Sequence, residues 1–566
     1  MINICKPVRQ LPPLRNEVYQ RRHEDWNGIF FPYPQTLSFD YNLRGVRLLQ
    51  YKGRLTYAKG TYVEFVIAPN QDVDFGDILV VEGRNGDKFY IRAYDFKVKS
   101  RWSGASNVGY LMSKLDENGQ VTNKEELEFY LGGNHTVKIG MAEQLCYADA
   151  ENHLYNPKTC PDFFCEVRGL GPDDTALLSE IRGDLEFGRL KSGRLVMDLP
   201  VGIYGEKAIT EHIGIFGTTG SGKSNLVKVL AGSVIDSGNY GLLIFDVHNE
   251  YYRDLSKHPL AGERLAVYST RATETTRKLA VDYSEIGPED ITACALFTEA
   301  QLDAIYKMSA AWQDKWLKYL LTYDVADIIE ELSSCTGQKF QPRTISKIKS
   351  VCWNLKQELN IGDFGVEGEK GVGSEGDTPL ASLIVALERG GVVLVELKNL
   401  SPIGEQALAA ILSRRLLQAY AARAGRAGVA GKPALIILEE AHRFLGKKEF
   451  IANNAFSRLV NEARKFNLGL CVVDQQPRLL ADKVLSQLNT LFILGLASKS
   501  DRAKLEAMCR KDILQQRNEI KNLDCGEVIV ATNYMRFAAP VKVHKFEDFV
   551  GRRSAAPSGM PGVLNG

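Results

Sequence analysis

The sequence predicts an α/β protein in two parts: a small antiparallel β-barrel, then a parallel sheet flanked by helices and carrying a helical insertion. Three observations predict it. Residues 36–99 hold short β-rich runs, such as Thr61-Tyr-Val-Glu-Phe-Val-Ile and Gly76-Asp-Ile-Leu-Val-Val-Glu-Gly, separated by Gly, Asn and Asp turns, the pattern of successive hairpins. From residue 188 onward, fully apolar runs such as 240–245, 391–395, 434–438 and 468–473 alternate with helical segments, as parallel strands joined by crossover helices do. Residues 285–360 lack such strand runs and take helical spacing instead.

Bulk properties narrow the choices. A chain of 566 residues exceeds one hydrophobic core and suggests about three or four domain-sized units. A net charge of +1 provides no global basic field, so any surface for nucleic acid is local. The N-terminus has no positive-then-apolar leader and no apolar run is long enough to cross a bilayer. Ten cysteines are scattered, and Cys160-x₄-Cys165 with Cys146 upstream lacks the second close pair of a zinc site. Buried free thiols in a reducing, cytoplasmic setting with no membrane attachment are the expectation.

Taken in order, residues 1–35 mix prolines, arginines and aromatics without a sustained period and read as an N-terminal arm. Residues 36–187 form the β-rich barrel and its linker, with strands expected near 45–49, 61–67, 76–83, 88–94 and 135–140 and a helix near 175–182. The second domain spans 188–549. Within it, 285–377 reads as the helical insertion, including one helix over 305–327 whose Trp312, Trp316, Tyr319 and Leu320 fall on a core-facing stripe, and a glycine-rich acidic loop from Gly362 to Asp377. Residues 501–524 read as helical and 526–531 as the last strand, before a tail over 550–566.

The chemistry is concentrated at strand ends. Residues 217–224, Gly-Thr-Thr-Gly-Ser-Gly-Lys-Ser, follow the apolar Ile213-Gly-Ile-Phe216 and open a helix. The glycines at 217, 220 and 222 let successive N–H groups of Gly217, Thr218, Thr219, Gly220, Ser221, Gly222, Lys223, Ser224 and Asn225 turn toward phosphate; Lys223 reaches the β/γ-phosphates and Ser224 can ligate Mg²⁺. ATP with Mg²⁺ is the expected ligand. Asp246, His248 and Glu250 follow the next strand and belong beside the phosphates. The run 434–438 ends in Glu439-Glu440, with His442 beyond it; in P-loop ATPases the first acid serves Mg²⁺ and the second the attacking water. Gln475 ends the run 468–473, where a polar side chain senses γ-phosphate, and Arg464 sits on the helix before it. These features specify a RecA-like P-loop ATPase domain with a helical insertion, preceded by a small β-barrel domain.

In that order, Gly217-Thr-Thr-Gly-Ser-Gly-Lys-Ser-Asn, Asp246-Val-His-Asn-Glu-Tyr, Leu438-Glu-Glu-Ala-His-Arg-Phe, Glu462-Ala-Arg-Lys-Phe, Gln475-Gln-Pro and Leu485-Ser-Gln-Leu-Asn-Thr resemble the HerA family of P-loop ATPases, relatives of FtsK-type DNA pumps. The resemblance covers about 188–545. It implies a homohexameric ring with ATP between subunits and double-stranded DNA in the hole, Glu439 on the metal, Glu440 activating water, Gln475 sensing γ-phosphate and Arg464 reaching the neighbour's ATP in trans. It further implies a nuclease partner of NurA type in DNA end processing or antiviral defence, or a ring that assembles a separate effector such as a sirtuin-like subunit. Lys447, Lys448 and Arg478, just beyond strand ends, are the candidates for contact with DNA in the pore. Two positions depart from the family pattern: Asp474-Gln475-Gln476-Pro477 replaces Ser-Gln-Arg-Pro, and Glu211 stands before His212 where many members have arginine. Both put a second basic contact near the phosphates in doubt.

Overall fold

Strands dominate the first described segment because β-branched and aromatic residues alternate there with polar ones, so that each strand has one face for a core. A computed structural model describes residues 51–69, 71–100, 136–294, 297–364, 378–424, 431–446, 455–509 and 516–555. The expected arm, the run 45–49, most of the glycine-rich loop, Lys447, Lys448 and the tail from 556 lie outside them. The described residues belong to one compact unit, Leu49–Gly566.

Seven strands come first: β1 (Tyr51–Lys59), β2 (Tyr62–Ile67), β3 (Ile78–Glu82), β4 (Lys88–Ser100), β5 (Thr136–Ala148), β6 (Leu154–Tyr155) and β7 (Glu166–Gly169). They pair in the order β2-β1-β7-β3-β4-β5-β6, and a further β2–β5 pairing, from Tyr62 opposite Glu143 to Val66 opposite Ile139, closes six of them into a barrel. Leu55, Val63, Phe65, Leu79, Val81, Phe89 and Ile91 fill the interior. Their alternates Ile78, Val80 and Tyr90 face outward and join Leu177, Phe187 and Leu190 in a second core that continues into the ATPase sheet. Barrel and sheet therefore share buried surface. The linker helix is Thr175–Glu180.

The large sheet contains β8 (Leu185–Ser192), β9 (Leu195–Ile203), β10 (Ile213–Phe216), β11 (Gly241–Asp246), β12 (Leu265–Ser269) and β13 (Arg277–Lys278). After β14 (Val281–Asp282) and β15 (Ile361–Gly362), which pair with each other, it resumes with β16 (Val392–Glu396), β17 (Ala434–Glu439), β18 (Leu468–Asp474), β19 (Thr490–Ile493), β20 (Glu527–Thr532) and β21 (Ala539–Val543). Its order is β13-β12-β16-β11-β17-β18-β10-β19-β20-β21-β8-β9, parallel from β13 to β19 and antiparallel beyond. Alternate residues serve opposite cores: Leu435 and Ile437 of β17 face the barrel side, Ile436 and Leu438 the insertion side. This doubly covered sheet explains the uninterrupted apolar runs.

Two expectations change, and the strand order adds a relation the sequence did not show. β10 and β11 are not neighbours, because β17 and β18 lie between them; the strand bearing Glu439 is thereby brought toward the P-loop. The single helix over 305–327 is three pieces, Glu299–Trp312, the 3₁₀ turn Gln313–Lys315 and Trp316–Thr322, because Gln313 turns at φ +49°. Trp316 and Leu320 are core, while Trp312 and Tyr319 are half-buried and stack on each other at 5.6 Å. Finally, β20 is followed by β21 and the helix Phe546–Ala555, so the chain stays ordered past 550. The other insertion helices are Pro288–Cys294, Val325–Thr336 and Pro342–Leu359, and the β14–β15 pair ties the beginning and end of this excursion together.

The cysteines divide between core and surface. Cys146, Cys165, Cys294, Cys352 and Cys471 are buried, but Cys160, Cys335 and Cys525 are exposed. The expectation of buried thiols therefore fails for those three, which lie in loops or on an outer helix face.

Candidate active site

Parallel pairing lines up the carboxyl ends of adjacent strands, and this alignment builds the site. Phe216 of β10 lies opposite Asp474 of β18, and Glu439 of β17 opposite Val473. The loop after Phe216 is pinned by Thr218, whose N–H and hydroxyl both donate to Gly495 O at 2.9 and 3.0 Å, and by Gly526 N–H on Ser221 O at 2.9 Å. Gly222, at φ +105°, turns the chain into the helix Lys223–Ser237; a Cβ there would stand 3.2 Å from Gly526 N. Only glycine takes that conformation without strain. The helix N-terminus and the upturned amides then face one point.

Lys223 Nζ lies over the loop, donating to Gly217 O at 2.9 Å and Thr218 O at 3.1 Å. Burial lowers its pKa, against the opposing pull of Glu440, Asp474, Glu439 and Glu250. Ser224 is half-buried at the first helical turn. The Asn225 side chain points elsewhere: its amide donates to His544 O at 2.8 Å and accepts Phe546 N–H at 3.0 Å, fastening the C-terminal helix.

Five acids, Asp246, Glu250, Glu439, Glu440 and Asp474, stand at or just beyond the strand ends. Asp246 is buried and raised in pKa by burial, with Glu250 and Tyr251 N–H groups bonded to its two oxygens at 3.2 Å. Tyr251 is fully buried and its hydroxyl donates to Glu439 Oε1. Glu439 Oε2 is buried with no hydrogen-bond partner, and burial pushes this carboxyl up to about 8, with Glu250, Asp246 and Glu440 adding to the rise. Glu440 sits at φ +45°, an unusual backbone for a side chain of this size. Glu440 Oε1 accepts Gln475 Nε2–H at 2.8 Å, and Gln475 Oε1 accepts the Thr219 hydroxyl at 2.6 Å. The P-loop, the glutamine and the second glutamate thus form one hydrogen-bonded chain. His442 is held by Asp474, whose Oδ2 accepts its N–H at 2.7 Å and lies 2.9 Å from its Nδ1. His248 is exposed at the rim and Glu250 half-buried.

The donor set fits ATP and Mg²⁺. A buried acid with one orphaned oxygen, kept protonated near neutral pH by its surroundings, is a carboxyl that a divalent cation would return to the ionised form. Ser224 and Glu439 are the residues that would hold the metal, which supplies charge neutralisation across the β- and γ-phosphates. The amide cradle and Lys223 suit the phosphates themselves.

Arg464 is not at this end of the sheet. It lies on the 3₁₀ turn Ala463–Phe466, before β18 begins, where its Nη2 pairs with Glu211 Oε1 at 2.8 Å. Glu211 precedes β10, so both residues flank the amino ends of the strands whose carboxyl ends carry the P-loop and Gln475. Arg478 is exposed beyond Gln475, its N–H on Asp501 Oδ1 at 3.2 Å and its Nη1 on Ser500 Oγ at 3.3 Å. Sequence reasoning missed Tyr251 as the partner of Glu439 and Thr219 as the partner of Gln475. The motif containing Tyr251 was visible, but nothing local to it indicates a contact with β17.

Residues 185–416 match the family model described as "Helicase HerA, central domain". The DNA double-strand break repair helicase HerA of Pyrococcus furiosus is 23% identical over 549 residues, covering 89% of this chain and 93% of that protein. Its namesake in Sulfurisphaera tokodaii is 27% identical over 383 residues, covering 64% and 70%. Among solved structures, the plasmid coupling protein TrwB bound to a non-hydrolysable GTP analogue aligns over 67% of this chain and 93% of its own, at 13% identity and a TM-score of 0.45. The first of these relatives spans most of the chain, and the stretch that matches the family model includes the P-loop and Asp246. Residues 185–416 thus carry a P-loop domain similar to the central domain of HerA helicases, and the chain is an ATP-hydrolysing enzyme.

Proposed function

We propose that this chain works as a homohexameric ring that hydrolyses ATP between subunits to translocate along double-stranded DNA and separate or deliver its ends. The nuclease that takes those ends in DNA end processing or antiviral defence is a partner of NurA type. The single observation that carries the reading is the placement of Arg464 at the opposite end of the sheet from its own P-loop. A cation at that edge can serve a phosphate only on another subunit. The names of the relatives, DNA double-strand break repair helicases, favour DNA as the track.

In this reading the P-loop amides and Lys223 hold the phosphates, and Ser224 and Glu439 hold Mg²⁺. Glu440 takes the proton of the attacking water, and Gln475, hydrogen-bonded to both Glu440 and Thr219, orients that carboxylate relative to the γ-phosphate. The neighbour's Arg464 neutralises charge developing on the transferred phosphoryl group, an effect worth on the order of 10³–10⁵ in rate. Arg478, exposed beyond Gln475, would track DNA phosphates, as would Lys447 and Lys448, which lie outside the described residues.

The test is steady-state ATP hydrolysis by size-fractionated protein, with and without blunt linear duplex DNA. Glu440→Gln and Arg464→Ala should each be nearly inactive alone, and mixing the two should restore DNA-stimulated hydrolysis, because a mixed interface unites an intact glutamate with an intact arginine. Failure of the mixture to recover any activity would sink the interfacial site. Hydrolysis indifferent to DNA would sink the motor and leave a regulatory ring as the better account.

A further inference from the structure

Glu211 is anchored more firmly than a surface ion pair requires. It caps the helix Gly205–Thr210, its N–H donating to Lys207 O at 3.1 Å. Its carbonyl accepts from the Asn489 backbone at 3.3 Å and the Asn489 side chain at 3.1 Å. The next residue, His212, is buried at φ +63°, with Nδ1 accepting Leu470 N–H at 3.0 Å and Nε2 facing Val460 O at 3.2 Å. The helix before Glu211 packs directly on β18: a Cβ on Gly469 would stand 1.5 Å from Ile209 O. Helix, sheet and the segment leading to β19 thus all fix the backbone from which one carboxylate projects.

Its partner is not fixed in this way. The Arg464 side chain is 60% exposed on a single 3₁₀ turn, and Nη2 to Glu211 Oε1 at 2.8 Å is its ion pair among the described residues. A guanidinium has five N–H donors in a planar fork, so one bond to Glu211 leaves the rest of the fork to meet phosphate oxygens. A free arginine at the same place would sample many rotamers and lose that freedom each time it docked.

We infer that Glu211 is a positioning residue for hydrolysis, holding the Arg464 fork in the orientation that the neighbouring subunit's γ-phosphate receives. The inference rests on the interfacial reading of Arg464 proposed above. Glu211 touches neither nucleotide nor metal and acts only through the arginine. Because a half-exposed pair of this kind is a weak interaction, the effect is on rate rather than on folding.

The experiment compares kcat and KM for ATP in the assembled, DNA-stimulated ring for Glu211→Gln, Glu211→Ala, Arg464→Ala and the double variant Glu211→Ala/Arg464→Ala. The expected result is a kcat lowered about two- to fivefold in both Glu211 variants, with KM and elution position unchanged. In the Arg464→Ala background the Glu211 substitution should have no further effect. Unchanged or increased kcat in Glu211→Gln, while Arg464→Ala is dead, would overturn the positioning role and leave the interfacial site standing. Equal additional loss in the double variant would also overturn it, by showing that Glu211 acts on something other than the arginine. If Arg464→Ala keeps full activity, the interfacial reading itself fails and takes this inference with it.

Discussion

A buried imidazole illustrates what residue identity could and could not convey. His212 ties β10, β18 and the helix Ala455–Glu462 together through Leu470 N–H and Val460 O, and burial pushes its pKa down to about 4, with Arg464 nearby adding to the fall. A group whose folded pKa lies below its unfolded value binds more protons when unfolded. The stability it contributes is present above about pH 6.5 and is lost as pH falls from there toward 4, amounting to about 3 kcal/mol. Urea unfolding across that window should show the loss in the parent protein and a flatter profile in His212→Gln; parallel profiles would mean that His212 is not held neutral. Glu211 and Asp474 looked in the sequence like departures from a family pattern near the phosphates. In the fold, Asp474 anchors His442 and Glu211 anchors Arg464. Lys223, Glu439 and Glu440 were legible because the motif itself carries the chemistry, whereas Tyr251 and Thr219 acquired their partners from packing.

Elements were legible where periodicity is strong. The runs around 434–438 and 468–473 became β17 and β18 nearly as expected, since a strand covered on both faces leaves a continuous apolar signature. The insertion was recognisable as helical, but its interior break at Gln313 was not, because a single residue at φ +49° leaves no mark on the apolar spacing around it. What holds the insertion to the sheet was also invisible. Arg414, on the helix Pro402–Ala424, reaches Asp290 at 2.6 and 2.9 Å and bonds to Glu285 O. Asp290 is completely buried and Arg414 nearly so. Arg414→Ala should lower stability by about 3–5 kcal/mol, because it strands a buried carboxylate. Denaturant midpoints would check this, and a change below about 1 kcal/mol would show that water reaches Asp290 instead.

At the scale of the whole molecule, the barrel and the ATPase sheet are joined by a common core rather than by a linker. Ile78, Val80 and Tyr90 on the barrel exterior pack with Leu177, Phe187 and Leu190, and the same cluster runs through to Leu226 and Ile244. Arg92 on β4 adds a buried link by pairing with Glu519 of the ATPase part. A chain beginning at residue 185 should therefore melt well below the full chain or aggregate, because it exposes that cluster. An unchanged melting temperature with intact nucleotide binding would show instead that the two parts are independent. The sequence by itself determined the kind of chemistry and the kinds of element, since a phosphate loop, a pair of acids after an apolar run and the period of a strand are all written within a few adjacent residues. Only the tertiary structure decided the strand order that places β17 and β18 between β10 and β11, the contact of Tyr251 with Glu439, and the removal of Arg464 to the far edge beside Glu211. Those relations join residues far apart in the chain, and they follow from which apolar faces can be buried together, a property of the whole packed sheet that no local pattern contains.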